Sequence, residues 1–442
     1  MEFLSLQRCL STSLNRLGVK TTTLHRVNLV RHQWTAPAVQ TRCGIVARAV
    51  VEDAEVAGSR DSDEDEASVV GKDESPLKRK RRERKEANEK ILLGKSVDEL
   101  QMLAESLGQP KYRGTQLHQA ILKGKRDLKD ANIPKVLKEK LSENGMEVGR
   151  SQIHEVRKAS DGTVKFLLRL RDGLVVEAVG IPATKAKKQR LTVCVSSQVG
   201  CPLKCSFCAT GKGGFSRNLD AYEIVDQVLT VQEEMKERVS NIVFMGMGEP
   251  LLNIRSVVKA HSIINKEIGI GARSITISTV GVPNAIEMLS REMMQSTLAV
   301  SLHAPNQDLR EQLIPSAKSY PLDALMKDCQ KYFAVTGRRV TFEYTMMSGV
   351  NDSPRQAEEL CRLLGRYKLR THVNLIPWNP AAGIPYERPS RKTLDKFMRI
   401  LEKNSVGASI RVSRGLDAAA ACGQLRNQFQ KEAFMEFVKP AA

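Results

Sequence analysis

The sequence predicts an α/β protein: an open, partial barrel of six strand–helix units, preceded by a small helical domain and a short β-hairpin extension. Three observations predict it. From residue 191 onward, short β-branched apolar runs alternate with longer amphipathic stretches, and that alternation marks parallel strands joined by crossover helices. The 442 residues are 41% apolar, enough for two or three domains around a real core. The polar residues best suited to chemistry fall just past the expected strands, where parallel barrels gather their sites.

The elements follow in order. Residues 1–50 hold seven Arg or Lys, nine Ser or Thr and one acid, Glu2. Arg-rich, Ser-rich, acid-poor composition without an apolar core reads as an organellar transit peptide rather than a secretory signal. Its Ser/Thr content favours the chloroplast over the mitochondrion, and Val46–Val51 suits its removal; an ordinary disordered tail is the alternative. Residues 51–89 are acidic from Glu52 to Glu74, then basic over Lys78–Lys85. Such blocks read as a disordered, solvated linker, with a nuclear address or an RNA-attracting arm as other readings of the basic part.

Residues 90–148 read as a helical accessory domain. Ser96-Val-Asp-Glu-Leu100 has the capping-box form, Leu100, Leu103 and Leu107 recur at helical spacing, and Gly108 closes that helix. Arg113–Leu122 opens another. Lys111, Arg113, Lys123, Lys125 and Arg126 surround it, either as an RNA platform or as a solvated face. Residues 150–190 hold strands Thr163–Leu170 and Leu174–Val179 around an Asp172-Gly173 turn. The barrel, 191–430, has strands expected at 192–197, 241–246, 274–279, 297–302, 340–346 and 371–376, with a further one at 408–413. Helices are expected at 220–238, 254–267, 321–335, 354–367 and 391–403. Residues 431–442 form a tail.

The net charge of +19 points to a polyanionic partner, nucleic acid before membrane. No run of about 18 apolar residues occurs, so no membrane span is expected. The nine cysteines are not spaced as a secreted disulfide framework, which suits small extracellular domains.

Cys201-Pro-Leu-Lys-Cys205-Ser-Phe-Cys208 lies on a loop just past the first barrel strand. Three thiolates at this spacing can hold three irons of a 4Fe-4S cube, and no fourth Cys or His follows nearby. An open fourth iron can chelate S-adenosylmethionine and pass an electron to its sulfonium. A structural zinc site would want four closed ligands, and incidental buried cysteines are the remaining alternative. Four further strand ends carry polar groups: Gly248-Glu249, whose carboxylate suits a cationic amino group; Ser278; Ser301-Leu302-His303; and Asn379. Singly each is an ordinary turn-former; on one rim they form a constellation. Cys194 lies seven residues before the triad, and Cys422 sits in a small-residue segment able to bend into the barrel mouth. Cys329 and Cys361 read as core, and Cys9 and Cys43 fall in the transit segment. Glu177, among Val175, Val176 and Val179, is either an outward strand residue or a half-buried carboxylate of raised pKa.

Six ordered motifs together resemble the RlmN/Cfr family of radical S-adenosylmethionine RNA methyltransferases. They are Gln198–Cys201…Cys205…Cys208-Ala-Thr-Gly, Gly214-Phe-Ser-Arg-Asn-Leu219, Gly246-Met-Gly-Glu-Pro250, Ser301-Leu-His-Ala-Pro-Asn306, Ile376-Pro-Trp-Asn-Pro380 and Arg414-Gly-Leu-Asp…Ala-Cys422-Gly-Gln-Leu425. The resemblance runs from about 90 to 430. The long N-terminal extension, Lys185-Ala-Lys-Lys188, and the Ala-Ala pair before Cys422 depart from it without removing a chemical group.

The resemblance implies a radical-SAM partial (β/α)6 barrel that methylates an adenosine of 23S-type ribosomal RNA and, in the RlmN branch, transfer RNA. It implies that Cys201, Cys205 and Cys208 hold the cluster. Gly248, Glu249, Ser278, Ser301, Leu302, His303 and Asn379 would bind S-adenosylmethionine. Cys422 would carry the methyl group, Cys194 would resolve the adduct through a disulfide, and Glu177 would be a general base. It further implies two S-adenosylmethionine molecules per turnover, an electron donor, a thiol reductant and a monomer. Carbon 2 of adenine is too electron-poor to take a methyl by displacement, whereas a thiolate is a competent nucleophile. That asymmetry explains why a cysteine and a radical are both needed. Methylation at carbon 8, as in the Cfr branch, is not separable by residue. A non-catalytic iron–sulfur RNA-binding protein would need neither the Gly-Glu-Pro and Ser-Leu-His ends nor Cys422.

Overall fold

The computed structural model describes residues 76–183 and 190–426. The expected transit peptide, most of the charged linker, Lys185–Lys188 and the tail from residue 427 lie outside them.

The basic run expected to be disordered linker is instead helix α1 (Pro76–Glu89). Lys, Arg and Glu are good helix formers, and the Arg79–Glu83 and Arg82–Glu86 pairs at i,i+4 offset like-charge repulsion. The helix is also anchored: Arg84 pairs with Asp220, and Asn88 Nδ2 donates to the same carboxylate at 2.7 Å. Helices α2 (Val97–Ser106), α3 (Tyr112–Leu122) and α4 (Lys135–Glu143) follow. The capping box forms as predicted, with Ser96 Oγ accepting from Glu99 N and Glu99 Oε2 accepting from Ser96 N.

This helical module is not freestanding. Leu100, Leu117, Leu137 and Leu141 join the same apolar core as the barrel strands. Arg150, its side chain 2% exposed, pairs with Asp226 and Glu233 and donates to the Gly124 carbonyl at 3.1 Å. One guanidinium therefore holds module and barrel together.

Strands β1 (Gln152–Lys158), β2 (Val164–Arg169) and β3 (Val175–Pro182) are antiparallel, with Gly173 at φ 79° in the turn between β2 and β3. β1 was not anticipated, because Gln-Ile-His-Glu-Val-Arg-Lys has no clean apolar face. The hairpin extends the barrel sheet: β3 pairs with β4 (Leu191–Cys194), placing Val179 opposite Cys194.

Beyond β4 come β5 (Gln198–Gly200), α5 (Ala209–Lys212), β6 (Phe215–Asn218) and α6 (Ala221–Met235). Then follow β7 (Val239–Phe244), α7 (Ile254–Lys266), β8 (Ile275–Thr279), α8 (Ala285–Arg291), β9 (Thr297–Ser301) and α9 (Gln307–Leu313). The last elements are α10 (Leu322–Thr336), β10 (Val340–Met346), α11 (Pro354–Tyr367), β11 (Thr371–Pro377), α12 (Arg391–Lys403) and β12 (Ala408–Ile410). The main sheet runs β1-β2-β3-β4-β7-β8-β9-β10-β11-β12 and is parallel from β4 onward. β10 is buried along its whole length, as a parallel strand covered on both faces should be. Every expected barrel strand and helix is present, with ends shifted by a few residues. Helices α8 and α9, seven residues each, are too short for periodicity to reveal.

Candidate active site

The three predicted cluster cysteines lie on the loop between β5 and α5, held from several sides. Cys201 N donates to Gly214 O at 2.9 Å, Ser206 N to Leu313 O at 2.9 Å, and Trp378 Nε1 to Phe207 O at 3.1 Å. Burial and the neighbouring thiols push Cys201 up to about 12 and raise Cys205 well above the ordinary thiol value. A cluster would displace those protons. Arg310 supplies a fixed counter-charge to Cys205. It is 1% exposed, donates Nη2 to Val280 O at 2.6 Å, and its Nε has no hydrogen-bond partner. Three inward thiols backed by a buried cation fit a cluster bound by three thiolates. Among the described residues no three His, Cys, Asp or Glu side chains are drawn close enough to hold a single metal ion.

The strand ends expected to bind S-adenosylmethionine line up beside this loop. Gly248 has φ 102°, and a Cβ there would come 2.5 Å from Gln198 Cβ, so only glycine lets the β7 end press onto β5. Glu249 is buried; its oxygens accept from Leu251 N at 3.0 Å and Val280 N at 2.9 Å. Burial raises its pKa and these bonds lower it. A carboxylate has acceptor positions left for a third donor. Ser278 Oγ and Ser301 Oγ are 3.4 Å apart on adjacent strands. His303, in the left-handed region at φ 58°, accepts Thr345 N at Nδ1, so its proton resides on Nε2. Burial and Arg310 drop its pKa to about 3, and Phe207 packs edge-on at 4.7 Å. Leu302 belongs to the core, its N–H given to Glu343 O. Asn379 has a task the sequence did not suggest: Nδ2 donates to Cys422 O at 3.0 Å, while Ser413 Oγ donates to its Oδ1 at 2.7 Å.

A cavity of about 930 Å³ opens within the barrel, lined among others by Cys194, Cys422, Asn379, Glu343 and Arg411. Both cysteines are free thiols. Cys194 is buried at the end of β4, and burial with the nearby Cys422 pushes it up to about 12. Cys422 is exposed to the cavity, and the protein around it raises its pKa; Arg411 opposes the rise at both sulfurs.

The segment 414–425 is docked rather than loose. Ala209 N donates to Gly423 O at 2.8 Å and Thr210 Oγ1 to Leu425 O at 2.7 Å. Gln424 Nε2 donates to Pro380 O at 2.6 Å, Gly415 N to Asp161 Oδ2 at 2.9 Å, and Lys165 Nζ to Ala419 O at 3.0 Å. Ala418 and Ala420 pack against Val179, Cys194 and Met247, where bulkier residues would not fit without displacement.

Glu177 is not outward. It is 1% exposed, on the same face of β3 as Val179, with Lys165 Nζ 3.5 Å from its Oε2. Burial raises its pKa, and Lys165 and Arg157 oppose that rise. Cys329 and Cys361 are core residues as expected. Lys165, Arg310, Glu343 and Arg411 were missed. For Lys165 there was a signal, a lysine inside the apolar run Val-Lys-Phe-Leu-Leu; for the others, nothing local distinguishes them.

A family model described as the radical SAM superfamily matches residues 195–364. A probable dual-specificity RNA methyltransferase RlmN of Thermosynechococcus vestitus is 57% identical over 338 residues, 76% of this chain and 98% of the relative. One from Picosynechococcus is 52% identical over 345 residues, 78% of this chain and 97% of the relative. Among solved structures, a radical SAM methyltransferase from Sphaerobacter thermophilus aligns with a TM-score of 0.72 at 43% identity. That alignment covers 76% of this chain and 99% of the other.

Proposed function

Because the chain belongs to the RlmN family of radical S-adenosylmethionine RNA methyltransferases, we propose that it methylates carbon 2 of an adenosine in 23S-type ribosomal RNA through a methyl group first carried on Cys422. The observation that carries this reading is the pair of free thiols, Cys194 and Cys422, at one cavity beside the cluster loop. A non-catalytic RNA-binding protein has no use for that pair. The family's cofactors are a 4Fe-4S cluster and S-adenosylmethionine. Cys201, Cys205 and Cys208 would hold the cluster; Gly248, Glu249, Ser278, Ser301, His303 and Asn379, with the backbone of Leu302, would border the S-adenosylmethionine. When bound, the cluster supplies the electron that cleaves the sulfonium and takes back the electron released when the adenine ring regains aromaticity.

The remaining steps fall to this chain's residues. Cys422 thiolate takes a methyl group from a first S-adenosylmethionine. After hydrogen is removed from that methyl group, its carbon adds to carbon 2, joining RNA to Cys422. Glu177 accepts the carbon 2 proton. Cys194 then attacks the Cys422 sulfur: an S–S bond forms, the S–CH₂ bond breaks, and its electron pair takes a proton to give the methyl product. A thiol reductant reopens the Cys194–Cys422 disulfide, and an external electron donor would be needed only for the cluster's initial reduction.

The relatives' names carry the words dual-specificity, and we read transfer RNA as the second substrate. The basic helical module and the net charge support RNA binding. Residues 1–50 and the cyanobacterial relatives support the chloroplast over the mitochondrion. The test is mass spectrometry of nucleosides from organellar RNA with and without the protein. Loss of 2-methyladenosine supports the reading; loss of 8-methyladenosine, or no change, overturns it.

A further inference from the structure

We propose that Lys165 is the positioning residue of the release step: its buried ammonium keeps the Glu177 carboxylate ionised beside the Cys422 segment, so that the RNA–protein adduct can give up its carbon 2 proton. This rests on the function proposed above. It assigns a role to a residue that touches neither cofactor nor thiol.

Lys165 is 3% exposed in a strand whose first five residues are all buried. A lysine in such a place is retained against a standing desolvation penalty, and an apolar residue of like size would pack as well or better. Two groups meet its ammonium. One is Glu177 Oε2 at 3.5 Å, which has no hydrogen-bond partner of its own among the described residues. The other is Ala419 O, accepting at 3.0 Å. Ala419 has φ 49°, a left-handed conformation uncommon for a residue with a Cβ, and it lies three residues before Cys422. In the β2–β3 pairing Lys165 sits opposite Val179 and Leu167 opposite Glu177, so the ammonium reaches its carboxylate diagonally on one face.

The other charged groups around Glu177 do not replace it. Arg157, on β1, lies farther off and is engaged by Glu155 at 2.6 Å; Glu155 in turn acts on Lys165. The Arg426 backbone N–H also lowers the Glu177 pKa, and Ser196 Oγ donates to its main-chain carbonyl at 2.6 Å. Burial pushes the Glu177 pKa up, and Lys165 is the foremost group holding it down. A general base acts only above its pKa. In the release step the carbon 2 proton goes to Glu177, the C–H electron pair stays in the ring, and one electron leaves as described above. Without Lys165 the pKa of the buried carboxylate would rise further, less of it would be ionised at neutral pH, and the adduct would persist.

The experiment is a single turnover with labelled RNA on a denaturing gel, using the full chain with its cluster reconstituted. Lys165→Met should accumulate a slow-migrating, nuclease-sensitive band at neutral pH that clears on the order of ten- to a thousandfold more slowly than in the wild type. A jump to alkaline pH should chase that band into product. Lys165→Gln keeps a donor for Ala419 O without the charge and should behave like Lys165→Met, whereas Lys165→Arg should restore most of the rate. Clearance at the wild-type rate in both uncharged variants overturns the proposal. So does a band that no pH chases, which would mean a misplaced Cys422 segment. If Lys165→Met does not fold, Lys165→Gln decides between the same outcomes. Cys194→Ala is the control: its band should resist every pH. If it forms no band, the release chemistry itself is wrong and the proposal falls with it.

Discussion

The backbone N–H of Ala209 donates to the carbonyl of Gly423 at 2.8 Å, so the residues that follow Cys208 and Cys422 are bonded directly. The loop that would hold the cluster and the segment that would hold the methyl group are thus one mechanical piece. Thr210 Oγ1, on the next residue, repeats the link by donating to Leu425 O. Losing the cluster should therefore loosen residues 414–426 as well as the loop.

Replacing Cys201, Cys205 or Cys208 by Ala should remove cluster absorbance and abolish S-adenosylmethionine cleavage. Hydrogen exchange should also speed up at 414–426 in each variant. Iron content, product chromatography and exchange mass spectrometry are the measurements, and normal cleavage in any variant refutes the cluster assignment.

The two cavity thiols should part company. Cys422→Ala should stop product before any adduct forms, because nothing accepts the methyl group. Cys194→Ala should form the adduct and fail to cut it. A denaturing gel with labelled RNA separates these outcomes, and identical behaviour of the two variants defeats the assignment.

Arg150 and Asp226 make a stability prediction. Asp226→Ala removes the fully buried partner of a guanidinium that is 2% exposed and leaves Glu233 to hold it, so the loss should approach but not exceed the about 3–5 kcal/mol of an uncompensated buried charge. Denaturant titration should show it, and the double replacement Arg150→Met with Asp226→Leu should lose less than the single one. Equal losses would mean the charge itself is not the issue.

For RNA, the module's attachment changes the right experiment. Deleting 90–148 would remove Leu100 and Leu117 and expose the barrel residues that share their core, so point changes are needed. Lys111→Glu with Lys123→Glu should weaken RNA binding and flatten its salt dependence. The slope should fall by roughly 0.9 for each phosphate no longer neutralised on duplex, and somewhat less on single strands. Filter binding across a salt series measures it. An unchanged slope would clear this face of any RNA role.

His261 is held neutral by burial, its pKa lowered to about 4. Between that value and its ordinary 6.5 the unfolded chain binds more protons, so this group's contribution falls as pH drops through that window. Relative to His261→Gln, the wild type should lose roughly 1 kcal/mol per pH unit there and run parallel above it. Parallel curves throughout would show that His261 does not titrate in this way.

Legibility in the sequence followed the range of the interaction. Val340–Met346 was readable because Val, Phe, Tyr and Met alternate with Thr, Glu and Thr at the period of a strand, and Ser96–Leu100 because a capping box is local. β1 was not, since its residues alternate without an apolar face. Lys78–Lys85 misled because like charges were weighed without Asp220, a partner far along the chain. The site divides the same way. The cysteines and strand ends announced themselves by spacing, but Asn379 bonds Cys422 across 43 residues and Lys165 bonds Ala419 across 254. No local pattern records such pairings.

The same β1 that escaped notice protects the molecule from its own kind. An open barrel leaves two free strand edges, each a template for fusing one copy to the next. At one edge β1 carries Glu155, Arg157 and Lys158 and a register shift between Ile153 and Glu155 that bends the ladder. At the other, β12 offers only three residues, too few to nucleate a continuous seam. Among the described residues, the two borders that an open barrel creates are thereby poor templates for joining one copy to the next.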